Sequence, residues 1–332
     1  MAFVWFILAA AVTVFAAIKL SNYADVLSTK TAMGGLLVGT LLLAGATSLP
    51  EVTTSVSAVL IDNPDIAIGN VVGSNMFNLF IFACFDLAYR RHHLLELAGR
   101  NHLYTAGTGL VLMAVTYLSL LFRPEWEVFG VGLDSILLVV LYAIGISVVG
   151  RVSKSGAAAP SVTEPDETVV SDEDDGITVR RAVIGFSLAA LLIMGAGTVL
   201  SIMGDRIAVI TGLGSSFVGS FLIAATTSLP EAVSVFVALR AKNVNLALGS
   251  ILGSNMFNIL IIFLSDLFYR EGPVLSVADP SHQITALVVM VLSVIILVAL
   301  ARKKTVSHAS YMVPSILIII GYIVASYLMF RG

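Results

Sequence analysis

The stretch "VGTLLLAGATSLPE" at residues 38–51 returns 180 positions later as "VGSFLIAATTSLPE" at 218–231, and this pair decides the fold. At the same offset "GNVVGSNMFNLF" (69–80) returns as "GSILGSNMFNIL" (249–260), and "DLAYR" (86–90) as "DLFYR" (266–270). From Val38 to Arg90 the copies share 24 identities in 53 gapless positions. Chance similarity between apolar segments scatters Leu, Val and Ala. It does not reproduce TSLPE and GSNMFN at one shared offset, so the chain is an internal repeat.

The composition says where that repeat lives. Of 332 residues, 58% are hydrophobic and 12% charged, with a mean hydropathy of +0.99. A soluble domain carries about 25% charged residues, so the chain is a multi-pass protein of the cell membrane. A net charge of -3 with no Lys/Arg block excludes nucleic acid as a partner. The single cysteine, Cys84, excludes an intrachain disulfide and is read as a small buried hydrophobe.

A bilayer core takes about 20 apolar residues per helix. Ten segments qualify: 3–19, 34–60, 66–86, 102–121, 131–150, 182–203, 213–239, 245–265, 284–301 and 311–330. The first lacks a basic start and a clear cleavage site, so it is read as a span rather than a signal peptide. With the N-terminus outside, 14 of the 18 Lys/Arg residues fall in inside loops and only Arg123, Arg206, Arg270 and Arg331 outside, which predicts N-out, C-out topology. Five spans per half start the second half from the opposite face. The expected fold is therefore all-α, with two inverted five-helix repeats at 1–150 and 182–332. Residues 151–181 join them as an acidic cytoplasmic linker, holding seven of the 21 acidic residues. Its "SDEDDG" (171–176) lacks the ligand spacing of an EF-hand loop, and 163–176 are read as solvated chain.

Only Glu51 and Glu231 place carboxylates well inside apolar spans, at equivalent repeat positions. A charge at the bilayer centre costs about 2.5–3.5 kcal/mol even on a lenient scale. No mid-span Lys, Arg or His is available as partner, which leaves protonation, water or a bound cation. The surroundings favour the cation. Pro50 and Pro230 break the helix and are expected to free carbonyls over Ala44–Thr47 and Ala224–Thr227, while Thr47, Ser48, Thr227 and Ser228 add hydroxyls. Asn70, Ser74 and Asn78 share one helix face, as do Ser250, Ser254 and Asn258. Hard oxygen donors with two formal charges suit Ca2+ and Na+. For Ser74 and Ser254, helix packing competes with ion contact. Gly69, Gly73, Gly249 and Gly253 leave room for close packing, and Asn75 and Asn255, rotated off the stripe, are read as helix-to-helix hydrogen bonders. Asp86 and Asp266, next to Tyr-Arg, are expected at the membrane interface, and His92, His93, His102, His282 and His308 at the surface.

At these motifs the sequence resembles the cation/Ca2+ antiporter superfamily, most closely the microbial sodium/calcium exchangers. "ATSLPE" to "GNVVGSNMFN" and "TTSLPE" to "GSILGSNMFN" match in motif and spacing, 27 residues separating Glu51 from Asn78 and Glu231 from Asn258. The resemblance implies Glu51, Glu231, Ser48, Ser228, Ser74, Ser254, Asn78 and Asn258 as side-chain ligands. It implies the carbonyls of Ala44, Thr47, Ala224 and Thr227 as the rest of the set, and sliding of the first and sixth spans against the others. Some exchangers carry Asp where this chain has Asn258, so the site holds at most two formal charges.

The leading expectation is an antiporter that exchanges Ca2+ for Na+, with the transported ions as its only ligands, no cofactor and no catalytic residues. Exchange of Ca2+ for H+, with or without K+, is the close alternative. A cation channel is a further one. An intramembrane hydrolase using Ser48 or Ser228 lacks a base.

Overall fold

The protein is seen in a computed structural model that describes residues 1–30, 45, 47–156, 177–240, 242–302 and 307–331. Helix α1 (Ala2–Lys30) runs beyond the expected end at 19. It is followed by α2 (Leu49–Leu60), α3 (Pro64–Ala88), a 3-10 turn (Arg90–His92), α4 (Leu94–Leu97), α5 (His102–Phe122) and α6 (Leu133–Gly156). A two-stranded hairpin, β1 (Glu127–Val128) and β2 (Val131–Gly132), links α5 to α6. The second half holds α7 (Val179–Thr211), α8 (Ser215–Phe217), a π-helical turn (Val218–Ile223), α9 (Ala224–Thr227) and α10 (Leu229–Arg240). It ends with α11 (Val244–Phe268), α12 (Val274–Val277), α13 (Ser281–Ala301) and α14 (His308–Arg331).

The protein is an all-α membrane protein. Among the described residues nine stretches are long and apolar enough to cross a bilayer, taking Ser215–Arg240 as one. The expected span 34–60 is described only from Gly45 onward, without residue 46, and most of the linker 151–181 lies outside the described residues. Buried share sets the layers. In the most apolar windows of α3 and α11, 67% and 61% of residues are buried, against 22% in α6 and 28% in α7. The two helices that carry GSNMFN thus form the centre. Large apolar side chains such as Trp5, Phe15, Ile144 and Leu191 face outward, which suits lipid rather than water.

Local sequence explains the matching turns before the two central helices. Asp62 and Lys242, 180 residues apart, both adopt left-handed backbone at φ 60° and 58°. The next residue in each copy, Asn63 or Asn243, donates its N–H to Ala58 O or Ala238 O at 2.9 Å. Its side chain then caps the helix, accepting from Ile66 N at 3.1 Å or Leu246 N at 3.0 Å.

Glycine decides how closely α3 approaches the π-helical turn. A Cβ on Gly69 would stand 2.8 Å from Ser220 N, and one on Gly219 would stand 2.8 Å from Ile66 O. Gly73 meets the Ser220 backbone in the same way. Gly253 has nothing within 4 Å, and the equivalent partner stretch, 38–43, lies outside the described residues.

Several polar residues sit deeper than their place in the sequence suggests. Asp86 and Asp266, in the last turns of α3 and α11, are fully buried within the protein. Asp86 accepts from Tyr311 Oη and, at 2.6 Å, from Ser315 Oγ, both on α14, while Asp266 accepts from Gly132 N of β2 and Val274 N of the short helix α12, both at 2.7 Å. His102 and His282 are also buried, and His282 Nε2 lies 3.2 Å from Asp65 Oδ1. Cys84 is half-buried. Tyr311 also accepts from Leu95 N at 3.3 Å, so Tyr311→Phe strands a carboxylate oxygen and a buried amide together. We expect that change to destabilise the protein by about 1–3 kcal/mol, read as a lower thermal unfolding midpoint in detergent.

Candidate functional site

The interruption expected at each Pro-Glu is present, one residue later than the free-carbonyl reading required. Ser228 leaves helical geometry at φ −87° and ψ 5° between α9 and α10, and Ser48 does the same at φ −88° and ψ 5° before α2. Each proline occupies the first turn of the helix that follows, where a missing N–H costs nothing. Because the break falls at Ser228, the Ala224 carbonyl still accepts Ser228 N at 3.1 Å. The expectation of an unbonded carbonyl therefore fails at Ala224, and Ala44 lies outside the described residues.

Both breaks bring a glutamate against the other half of the chain. Ser228 Oγ donates to Glu51 Oε1 at 3.1 Å, and Ser48 Oγ donates to Glu231 Oε1 at 3.5 Å. The two carboxylates are 0% and 1% exposed, so neither is solvated from outside the protein. Thr227 donates to Asn70 Oδ1 at 3.0 Å and lies 3.5 Å from Ser74 Oγ. Asn70 in turn donates to Ser55 Oγ at 2.9 Å and to the Glu51 carbonyl at 3.2 Å. Its counterpart Ser250 is only half-buried, so the two polar stripes are not equivalent.

The middle of the site is an exchange of amides between α3 and α11. Asn75 Nδ2 donates to Asn255 O at 3.1 Å and Asn255 Nδ2 donates to Asn75 O at 3.2 Å. Their side-chain oxygens then accept from the next turn: Asn78 Nδ2 reaches Asn255 Oδ1 at 2.9 Å, and Asn258 Nδ2 reaches Asn75 Oδ1 at 3.1 Å. This is the helix-to-helix role expected of Asn75 and Asn255. It has a second effect, because it uses the N–H side of Asn78 and Asn258 and leaves their oxygens over.

What remains is a set of buried acceptors with nothing to accept. Among the described residues Glu51 Oε2, Glu231 Oε2, Asn78 Oδ1 and Asn258 Oδ1 have no hydrogen-bond partner, and neither does Ser254 Oγ. The first four are oxygens without a proton of their own when the carboxylates are ionised. Orphaned buried polar atoms are rare and ask for a reason. Among the described residues no Lys or Arg pairs with either glutamate, and no group of three or more His, Cys, Asp or Glu side chains forms a metal site. The arrangement can therefore take a positive ion through mixed carboxylate and amide oxygens.

Thr47, Ser48, Glu51, Ser74, Asn78, Thr227, Ser228, Glu231, Ser254 and Asn258 are all buried in this region. The sequence reading passed over Ser55 and Ser201. Ser55 supports Asn70, and Ser201 Oγ of α7 donates to the Thr54 carbonyl at 2.6 Å. The available signal was a polar residue one turn beyond Glu51 inside an apolar span.

The profile of the family described as "Sodium/calcium exchanger protein" matches residues 1–150 and 181–331. The inner membrane protein YrbG of Escherichia coli (strain K12) is 27% identical over 252 residues, covering 75% of this chain and 74% of that protein. Among solved structures, the H+/Ca2+ exchanger CAX superposes with a TM-score of 0.66 at 16% identity, covering 99% of this chain and 90% of the other. The sodium-calcium exchanger NCX_Mj superposes with a TM-score of 0.56 at 18% identity, covering 98% and 97%. At these identities the two structures share the fold. Since the family profile spans both halves of the chain, the protein belongs to the sodium/calcium exchanger family.

Proposed function

We propose that this cation antiporter carries Ca2+ in exchange for Na+ by alternating access, with both ions using one central site. The observation that carries the proposal is the set of four unpartnered buried oxygens, two from each half of the chain, on Glu51, Glu231, Asn78 and Asn258. Ser48, Ser74, Ser228 and Ser254 complete the side-chain ligands, with the carbonyls of Thr47 and Thr227. The Ala224 carbonyl, held in the backbone ladder, is left out. Two ionised glutamates match one Ca2+ or two monovalent ions. An unoccupied site resists changing face because two unpaired carboxylates would pass through an occluded state, and that cost couples the two fluxes.

The architecture proposed for this transport is ten spans, N-out and C-out, as two inverted halves at 1–150 and 182–332 joined by the acidic linker. The moving part is the pair α1 and α7. These helices share a small apolar cluster, Ala16, Ala17, Leu20, Ala189 and Ile193, while Phe6 and Ala9 of α1 and Leu200 and Ile207 of α7 pack into the main core.

H+ in place of Na+ is the second reading, favoured by one observation: both central amides are Asn, so a proton on a glutamate would also neutralise the site. The test is flux into proteoliposomes with Na+, K+ and H+ gradients imposed separately. An outward Na+ gradient alone is expected to drive 45Ca2+ uptake. Uptake driven by a pH gradient in Na+-free buffer, and indifferent to Na+, would replace Na+ by H+; conductance without counterflow would point to a channel.

A further inference from the structure

The internal repeat allows the surroundings of two buried aspartates to be compared position by position. At Asp86, two hydroxyls from α14, Tyr311 and Ser315, donate to the carboxylate. The residues 180 positions away are Asp266, Val131 and Ser135. With valine in place of the phenol, backbone amides of Gly132 and Val274 hold Asp266 instead. The Ser135 hydroxyl, counterpart of Ser315, is 1% exposed and has no partner. Position 134, which is Pro314 in the other copy, is an aspartate.

Asp134 is 8% exposed; its Oδ1 accepts Ser135 N at 2.8 Å, and its Oδ2 has no partner. The Ser119 hydroxyl at the end of α5 lies beside it. A Cβ placed on Gly132 would meet Asp134 Oδ1 and, at 3.2 Å, Asp266 Oδ2, so both carboxylates border one point. Among the described residues neither is paired with a Lys or Arg, and nearby Arg123 donates to the Ala278 carbonyl at 2.8 Å. The place is not the transport site: Asp266 lies about 12 Å along α11 from Asn258, at about 1.5 Å per residue.

We propose that Asp134 and Asp266, with the hydroxyls of Ser119 and Ser135, form a second cation site that takes a hard divalent ion such as Ca2+ and fastens α5, α6 and α11 together at one membrane face. Two buried carboxylates without a basic partner carry a large desolvation cost, and a divalent ion cancels both charges at once. The donors are all hard oxygens, as Ca2+ requires. Asp266 Oδ2 keeps a lone pair for the ion beyond its bond to Gly132, and Asp134 Oδ2 accepts no hydrogen bond among the described residues. An ion held this way stabilises the folded chain by mass action.

The test uses the full chain carrying Glu51→Gln and Glu231→Gln, in detergent, so that it reads independently of the transport site. Ca2+ is expected to raise the thermal unfolding midpoint of this double variant by several degrees, and Tb3+ to report a bound lanthanide through sensitised luminescence. Adding Asp134→Asn should abolish both signals. Ser135→Ala, which keeps both carboxylates, should weaken Ca2+ binding about tenfold, the loss of one ligand at about 1.4 kcal/mol per decade. Absence of Ca2+ stabilisation in the double variant, or stabilisation that survives Asp134→Asn, overturns the proposal. If Asp134→Asn does not fold, unchanged Ca2+ affinity in Ser135→Ala overturns it.

Discussion

Glu51→Gln is expected to lower Na+-driven Ca2+ uptake into proteoliposomes at least about 100-fold, which at about 1.4 kcal/mol per decade is about 2.8 kcal/mol. The change is nearly isosteric. Ser228 Oγ can still donate, now to the amide oxygen, so packing between the halves survives. What is lost is half the negative charge of a site whose unpartnered carboxylate oxygens are Glu51 Oε2 and Glu231 Oε2. A site with one charge binds one monovalent ion in neutral form, and Ca2+ there leaves a net positive charge inside the membrane. Glu231→Gln is expected to do the same, and the double variant little more, because either loss alone removes charge balance for the divalent ion. Uptake that persists in Glu51→Gln with an unaltered dependence on Ca2+ would remove this residue from the mechanism.

Asn75→Leu is expected to weaken apparent Ca2+ affinity about 10- to 100-fold, about 1.4–2.8 kcal/mol, without touching a proposed ligand. Asn75 Oδ1 holds the amide of Asn258 at 3.1 Å, and that bond fixes which side of the amide is engaged, leaving the Asn258 oxygen without a partner among the described residues. Without it the amide can turn, presenting N–H where a cation needs an oxygen. Leucine keeps the volume, so the packing cost is small while the polar cost is not. The measurement is KM for Ca2+ against maximal flux. Asn75→Asp, whose carboxylate still accepts from Asn258, should retain more affinity than the leucine variant. An unchanged KM in Asn75→Leu would mean that Asn258 is oriented by something else.

Much of the site is legible in the sequence because membrane burial makes polar residues conspicuous. Glu51 and Glu231 stand out as the lone mid-span carboxylates, and TSLPE with GSNMFN fixes their neighbours in both copies. The role of Asn75 and Asn255 followed from helical phase alone. The burial of Asp86 and Asp266 within the protein did not, since a span-end position says nothing of what packs over it. Their burial depends on β2 bringing Gly132, on α12 bringing Val274 and on α14 bringing Tyr311. The bonds from Tyr311 to Asp86 and from Gly132 to Asp266 join residues more than 100 positions apart, and no periodicity announces them. The carbonyl of Ala224 was misjudged for a local reason: proline disrupts the bond four residues before it, at Thr226, and the chain turns at Ser228.

The reciprocal bonds from Ser228 to Glu51 and from Ser48 to Glu231 bear on how the two halves can diverge. Each carboxylate borrows its hydroxyl from the opposite copy, so neither half on its own completes the proposed ion site. A substitution that suits one TSLPE segment is judged by the other, 180 residues away. The copies are free to drift on their outward faces, where Phe3 answers to Val183 and Val4 to Ile184, yet remain bound to a common alphabet at the seam.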